Sequence, residues 1–438
     1  MGGRAGADFA LHRARRVFAG AERQAELDRR FELRTAEQVA DALGNMKGAF
    51  MKLGQMASYL DTGLPPHVRE ALAGLQQDVP PMSAQLAAGV VERELGAPPD
   101  RVFLEWDPVP IASASIGQVH RAITRDERAV AVKVQYPGVD EAISADLEAA
   151  GLVFGAMGLA LSGFEPGPMV EEIRARVVEE LDYANEARNQ QLFADFYRGH
   201  PFVHVPDVLM PLSTPRVLTT DLAEGARFVE MATWPQDERN LAAEAIYRFV
   251  FRSLYRLQAF NGDPHPGNYL FRPGGHVTFL DFGLVKHFTS DEIDVFGEMI
   301  RAMVNDRDTA GYRRIVERIG MLKPGARVTD AQVHDYFSHF YEFVMHDEEV
   351  TITPAWSSDA LSRYVDPTGP YGPIIKAANL PAAFVIIQRI NLGLMAILGE
   401  LRATANFRGI ANELWPWVDG PPSTELGKAE ADWLASRG

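Results

Sequence analysis

Apolar and polar positions change period along the chain. Through residues 1–100 apolar side chains recur at three- and four-residue spacing, as in Leu53, Met56, Ala57 and Leu60, which predicts a largely helical stretch. Pro65-Pro66 and Pro80-Pro81 punctuate it as loops. After residue 100 the period shortens: Val102-Phe103-Leu104 and Ala129-Val130-Ala131-Val132-Lys133-Val134 are short apolar runs that predict strands. Alternation in the second run puts Val130, Val132 and Val134 on one face and Lys133 on the other. Helices are expected from Asp140 to about Tyr197, a strand over Arg216–Thr220, a turn at Glu224-Gly225, and mostly helix after Leu241. Within that last stretch, Tyr269-Leu270-Phe271 and Val277-Thr278-Phe279-Leu280 flank Pro273-Gly274-Gly275 and predict a hairpin. The reading is an α+β chain in three parts, 1–100, 101–222 and 223–438, with a cleft expected between a small mixed layer and a helical layer.

Composition narrows the function classes. The 438 residues include 43 Lys and Arg against 59 Asp and Glu, a formal net charge of −16 at pH 7. Such a chain lacks the basic surface by which a general nucleic-acid binder releases counterions, so no nucleic-acid partner is expected. With no cysteine at all, disulfides, thiolate metal sites and a Cys nucleophile are excluded. The Arg-rich N-terminus has no apolar core of a secretory signal and reads as a solvated amphipathic helix, with an organellar transit peptide as the alternative. Gly151–Phe164 is apolar but short of a membrane span, and Ala382–Leu401 carries Gln388, Arg389 and Asn391 in its middle. Both read as buried helices. The location expected is cytoplasmic, with peripheral membrane contact through Gly151–Phe164 or the basic Arg13–Arg16 as the alternative.

The densest chemistry is Gly262-Asp263-Pro264-His265-Pro266-Gly267-Asn268, then the hairpin, then Asp281-Phe282-Gly283. Asp263 can orient or deprotonate an attacking hydroxyl or water. Asn268 and Asp281 offer hard oxygens to Mg²⁺, and the hairpin returns them to one edge. Read one at a time, these residues are also ordinary turn formers and caps; the ordered pair of motifs is what makes the signal specific. Lys133 ends a strand of the type whose lysine meets the α- and β-phosphates of a nucleotide. It needs a helical carboxylate, with candidates in Glu179–Glu186. Ala112-Ser113-Ala114-Ser115 occupies the place of a glycine-rich phosphate loop, and the backbone of Asp221–Ala223 is either an adenine-binding hinge or a plain strand exit. After Gly283, Thr289 and Glu292 form a capping box that starts a helix at once, leaving no activation segment for a peptide substrate. His334 and His339 lack metal-ligand spacing, Asp347-Glu348-Glu349 reads as a solvated loop, and the tail bearing Trp415, Trp417 and Trp433 reads as helix ends or coil.

Taken together these motifs resemble the UbiB family of atypical kinases, also called AarF or ADCK. Phe50-Met51-Lys52-Leu53-Gly54-Gln55 with the following proline blocks resembles its KxGQ signature, and Ala112–Ser115 its Ala-rich loop. Glu180-Leu181-Asp182 resembles its ExD motif, Glu186 the glutamate that partners the strand lysine, and Asp263–Asn268 with Asp281–Gly283 its catalytic and metal loops. The resemblance implies a bilobal protein-kinase-like fold: a helical N-terminal extension carrying KxGQ, a small lobe with the Ala-rich loop and ExD insert, and a helical C-lobe. It implies ATP or ADP with Mg²⁺ as ligands, and kinase or ATPase activity in ubiquinone or other isoprenoid-lipid metabolism, with a prenyl-lipid or quinone-pathway intermediate as the expected partner. Lys52 and Gln55 would cover the cleft, with Glu180 and Asp182 in the same region. Lys133 and Glu186 would position phosphates, Asp263 would be the catalytic carboxylate, and Asn268 and Asp281 would hold metal. Ser113 stands where the family often has Ala, and Asn261-Gly262 replaces the His-Arg of ordinary protein kinases. Two alternatives remain: a small-molecule phosphotransferase of the aminoglycoside/choline kinase type, which shares the G-D-x-x-x-x-N loop, and a nucleotide-binding scaffold without turnover.

Overall fold

The computed structural model describes residues 82–114, 116–139, 181–262, 264–323, 325–357, 369, 371–378 and 382–437. Lys52, Gln55, Ser115, Gly151–Phe164, Glu180, Asp263 and Arg13–Arg16 lie outside these residues. The chain divides into two compact units, Met1–Asn185 with Leu209–Thr219, and Glu186–Val208 with Thr220–Gly438.

The described part of the first unit opens with α1 (Ala84–Leu95), started by the Ser83 hydroxyl accepting from the Leu86 N–H and ended by Gly96 at φ 78°. Three strands follow: β1 (Glu105–Ser113), β2 (Gly117–Ile123) and β3 (Ala129–Gln135). The sheet order is β1-β2-β3 and then the strand Val217–Asp221 (β5), with β1–β2 and β2–β3 antiparallel. Val130, Val132 and Val134 are each fully buried, against α1 residues Val90 and Val91. Burial on that scale contributes ~1.5–3 kcal/mol per side chain and fixes which face of β3 looks inward.

The expected strand over Val102–Leu104 is not there. Pro99 sits at the start of a helical turn over Pro99–Val102, and Phe103 closes it as a fully buried anchor stacked on Trp106. The strand begins instead at Glu105 and carries Pro108 and Pro110. Those prolines hide it from a sequence reading, but β1 lies at the sheet edge, where missing N–H groups cost little, and its register shifts around Pro110.

The second unit continues α2 (Tyr183–Phe196), whose first turn belongs to the first unit. It adds β4 (Val203–His204), the end of β5 (Val217–Asp221), and α3 (Gln236–Arg256). Short strands β6 (Ala259–Asn261), β7 (Tyr269–Arg272), β8 (His276–Phe279) and β9 (Val285–His287) follow. Then come α4 (Ser290–Ile300), α5 (Thr309–Arg318), α6 (Asp330–Ser338), α7 (Ala382–Glu400), α8 (Phe407–Leu414) and α9 (Glu425–Ala435). The core is aromatic: Phe249 stacks on Phe279 at 3.6 Å between centroids, and Phe193 meets both Phe249 and Phe282.

The tail is not coil. Trp433 sits on α9, buried against Tyr197 and His200, and Trp415 is buried and stacked on Trp417. Within the tail, Glu430 is a buried partner of Arg248 and Arg252. Among the described residues no helix is long and apolar enough to cross a membrane.

Candidate functional site

The site grows from the β7–β8 hairpin, where Tyr269 faces Phe279 and Arg272 faces His276. Gly274 and Gly275 turn the chain at φ 81° and 76°, left-handed values that glycine adopts without a Cβ penalty. The Gly274 N–H donates to Glu238 at 2.7 Å, which ties the tip to α3. Chemistry collects at the other end. With Tyr269 opposite Phe279, Asn268 falls beside Leu280, and the Leu280 N–H donates to the Asn268 carbonyl at 3.0 Å. Register therefore sets Asn268 next to Leu280-Asp281 without requiring the two side chains to find each other.

Before the hairpin, Pro266–Asn268 makes one tight helical turn. His265 Nδ1 accepts from the Gly267 N–H at 3.0 Å, and the Asn268 N–H donates to the His265 carbonyl at 2.9 Å. His265 thus shapes the loop that presents Asn268.

After the hairpin, Asp281-Phe282-Gly283 is held on several sides. The Asn261 amide donates to the Asp281 carbonyl at 2.5 Å. The Gly283 N–H donates to Asp281 Oδ1 at 2.9 Å, which fixes the carboxylate's rotamer. Phe282 is fully buried, 4.9 Å from the Phe193 ring. The Asn189 amide donates to the Phe282 carbonyl at 3.3 Å. β6 and β9 pair just beyond, with Asn261 opposite Val285, and the Gly262 N–H donates to the Leu284 carbonyl at 2.6 Å.

Glu186 is buried and reaches the same loop. A Cβ placed on Gly283 would lie 3.3 Å from Asp281 Oδ1 and 3.6 Å from Glu186 Oε2. Two carboxylates flank that glycine. Asp281 and Asn268 supply a carboxylate and an amide oxygen at one edge. That donor set fits a magnesium shared with phosphate oxygens and water, which is how Mg²⁺ is usually held, rather than one enclosed by protein alone.

In the first unit, Lys133 faces away from the buried valines as alternation requires, opposite Val119 on β2. Its ammonium lies 4.9 Å from the centre of the buried Tyr183 ring, a cation–π contact that orients the side chain. Gly117 makes room for this. A Cβ there would sit 2.8 Å from the Tyr183 hydroxyl and well inside contact of the Val134 carbonyl oxygen. Ala112 and Ser113 end β1, opposite Val119 and Gln118, and the Ala114 N–H closes the turn on the Gly117 carbonyl at 2.8 Å. The described part of the Ala-rich segment is therefore the end of β1, with Ala114 leading out of the strand.

Two candidate positions carry structural duties. Asp182 caps α2: its Oδ1 accepts from the Ala184 N–H at 3.0 Å. At the end of β5, the Asp221 N–H donates to the Asp207 carbonyl at 2.9 Å, so that donor serves the fold, while Ala223 follows in a half-buried stretch. Sequence reasoning missed the roles of Asn189, Asn261 and Tyr183. The signal for the first was available: Glu186, Asn189 and Phe193 are spaced three and four apart, on one face of α2.

Comparison with known proteins gives a consistent family. The ABC1 atypical kinase-like domain matches residues 74–316. A chloroplastic aarF domain-containing protein kinase of Arabidopsis thaliana is 34% identical over 304 residues, 68% of this chain and 42% of that protein. The mitochondrial atypical kinase COQ8B of Rattus norvegicus is 33% identical over 62% of this chain and 52% of its own length. The mitochondrial atypical kinase COQ8 of Saccharomyces cerevisiae is 30% identical over 65% and 57%. The chain spans about half the length of these curated relatives. Among solved structures, Rv3197 of Mycobacterium tuberculosis, in complex with erythromycin, is 31% identical with a TM-score of 0.66, covering 91% of this chain and 100% of that one.

Proposed function

We propose that this chain, which belongs to the ABC1 atypical kinase-like family, binds a magnesium–adenine nucleotide and transfers or hydrolyses its terminal phosphate in support of ubiquinone or other isoprenoid-lipid metabolism. The observation that carries the reading is the hairpin register that sets Asn268 beside Leu280-Asp281, with the Asp281-Phe282-Gly283 backbone held by buried amides.

In this reading the fold is bilobal and kinase-like. Lys133, oriented by Tyr183, meets the α- and β-phosphates, with Glu186 as its carboxylate partner. Asn268 and Asp281 hold the metal, which when bound neutralises charge on the phosphate oxygens. Asp263 orients the attacking hydroxyl or water and accepts its proton. The Ala112–Ser115 segment and the backbone near Ala223 contact the nucleotide. Lys52 and Gln55, with Glu180 and Asp182, restrict what reaches the phosphate.

The acceptor is a small molecule, a lipid or water rather than a protein. Leu284–Thr289 is all that separates Gly283 from α4, and the Thr289–Glu292 capping box fixes that start: the Glu292 N–H donates to the Thr289 hydroxyl at 3.2 Å and the Thr289 N–H to Glu292 at 2.8 Å. So short a link leaves no platform for a peptide.

The test is Mg-dependent ATP hydrolysis by the full chain. Asp281→Asn is expected to lower the rate about 100-fold or more while leaving the melting temperature nearly unchanged. Lys133→Ala is expected to abolish the thermal stabilisation given by nucleotide. Equal hydrolysis by wild type and Asp281→Asn would refute the catalytic reading. Flotation with liposomes of neutral and anionic lipid tests the membrane side of the proposal.

A further inference from the structure

Asn189 does something that no motif assigns to it. It lies on α2, one turn beyond Glu186, and is buried. Its amide nitrogen donates to the Phe282 carbonyl at 3.3 Å, and its Oδ1 lies 3.3 Å from His287 Nε2 on β9. The carbonyl can only accept, so the amide group faces it with nitrogen; the oxygen then faces His287, whose Nε2 must donate.

The consequence follows from peptide geometry. The Phe282 carbonyl and the Gly283 N–H belong to one planar peptide unit. Holding that carbonyl therefore also fixes the N–H that donates to Asp281 Oδ1 at 2.9 Å. The preceding peptide is pinned separately, by Asn261 on the Asp281 carbonyl. With both peptides fixed, the Asp281 carboxylate has one direction. Without Asn189, the buried Phe282 carbonyl loses a donor, its peptide can rotate, and the Gly283 N–H swings off the carboxylate.

We propose that Asn189 is a positioning residue for Asp281, acting through the peptide between Phe282 and Gly283, with His287 orienting its amide. This rests on the reading of Asp281 as a metal ligand. The contacts of Asn189 are with the Phe282 carbonyl and His287, so its role is to set how well the loop is arranged before a metal binds.

The experiment titrates MgCl₂ into the full chain with saturating ATP, following binding by calorimetry, and separately measures ATP affinity in EDTA. Asn189→Ala is expected to raise the half-saturating Mg²⁺ about ten-fold, the scale of one hydrogen bond to a buried group, with metal-free nucleotide affinity unchanged. His287→Ala, at an exposed position, is expected to raise it about two- to three-fold, because it removes only the group that orients the amide. Wild-type Mg²⁺ dependence in Asn189→Ala, together with its loss in Asp281→Asn, would overturn the positioning role and leave the metal assignment standing. Unchanged Mg²⁺ dependence in Asp281→Asn itself would overturn both. If Asn189→Ala does not fold, His287→Ala decides: a wild-type titration there overturns the proposal.

Discussion

Two polar centres in the second unit are built on opposite plans. Around Asp281, the loop backbone is gripped by neutral amides, Asn261 and Asn189, each donating to a carbonyl. Between α3 and α9, charges hold one another. Arg248 meets Glu244 at 2.7 Å, Glu413 at 2.8 Å and Glu430 at 3.0 Å, and Arg252 meets Glu430 at 2.9 Å. All five side chains are buried. The Thr424 hydroxyl, which caps α9, donates to Glu244 as well. A closed set of ion pairs is spent on structure, tying the end of the chain to α3. A loop fixed through its backbone instead holds a carboxylate, Asp281, in one orientation. Mutations in the first centre should therefore change binding, and in the second stability.

The largest effect is expected from Arg248→Met. Three glutamates would remain against Arg252 alone, and breaking a buried pair by removing one partner costs ~3–5 kcal/mol. Chemical denaturation measures it. A loss below about 1 kcal/mol would mean that the cluster relaxes or takes up water and is not the lock described here. Mg²⁺ affinity of the folded variant should stay at the wild-type value, which is the sharper half of the contrast with Asp281→Asn.

Acid should act on the same cluster in two stages. His200 is buried beside Glu430, and its Nδ1 accepts from the Phe202 and Val203 N–H groups at 3.3 and 3.0 Å. Burial lowers its pKa, although Glu430 pulls the other way. Its contribution is complete above the unfolded value near 6.5 and is lost as pH falls below it. Burial alone would raise Glu430, but hydrogen bonds from Arg252 and Arg248 and the charges of both hold it well below its ordinary 4.5, with His200 Nε2 3.6 Å away. That contribution is complete above 4.5 and fades as pH falls further. The melting temperature should therefore decline from about pH 6.5 and more steeply below about pH 4.5. His200→Asn, whose Oδ1 can take the place of Nδ1, should flatten the upper stage; an unchanged slope would remove His200 from the explanation.

The smallest effect is expected at the cap that follows Asp281-Phe282-Gly283. Thr289→Ala should cost ~1 kcal/mol of stability, read from the denaturation midpoint, since it removes the hydroxyl that accepts the Glu292 N–H. A cost near zero would show that packing of Ile293 and Phe296, not the capping box, starts α4.

Local patterns carried much of this protein in the linear sequence. Alternation placed Lys133 opposite the buried valines, the Pro-Gly-Gly turn announced the hairpin, and Thr289 with Glu292 announced α4. Each depends on residues within a few positions of one another. β1 was hidden because its prolines are tolerable only at a sheet edge, and edge position is not a local property. The tail was misread because Glu430 and Trp433 look solvated until Arg248, Arg252, Tyr197 and His200 are brought to them from far along the chain.

The sequence by itself determined which residues could handle phosphate and metal, because ligand chemistry resides in side-chain type and the hairpin that joins Asn268 to Asp281 is short. Only the tertiary structure decided how Asp281 is aimed. That direction depends on Asn261 and Asn189, which reach one loop from two different elements, and on His287, which orients the Asn189 amide from a third. Nothing in the order of the chain states that two separate amides converge on two neighbouring peptides, one of them oriented by a histidine from a third element.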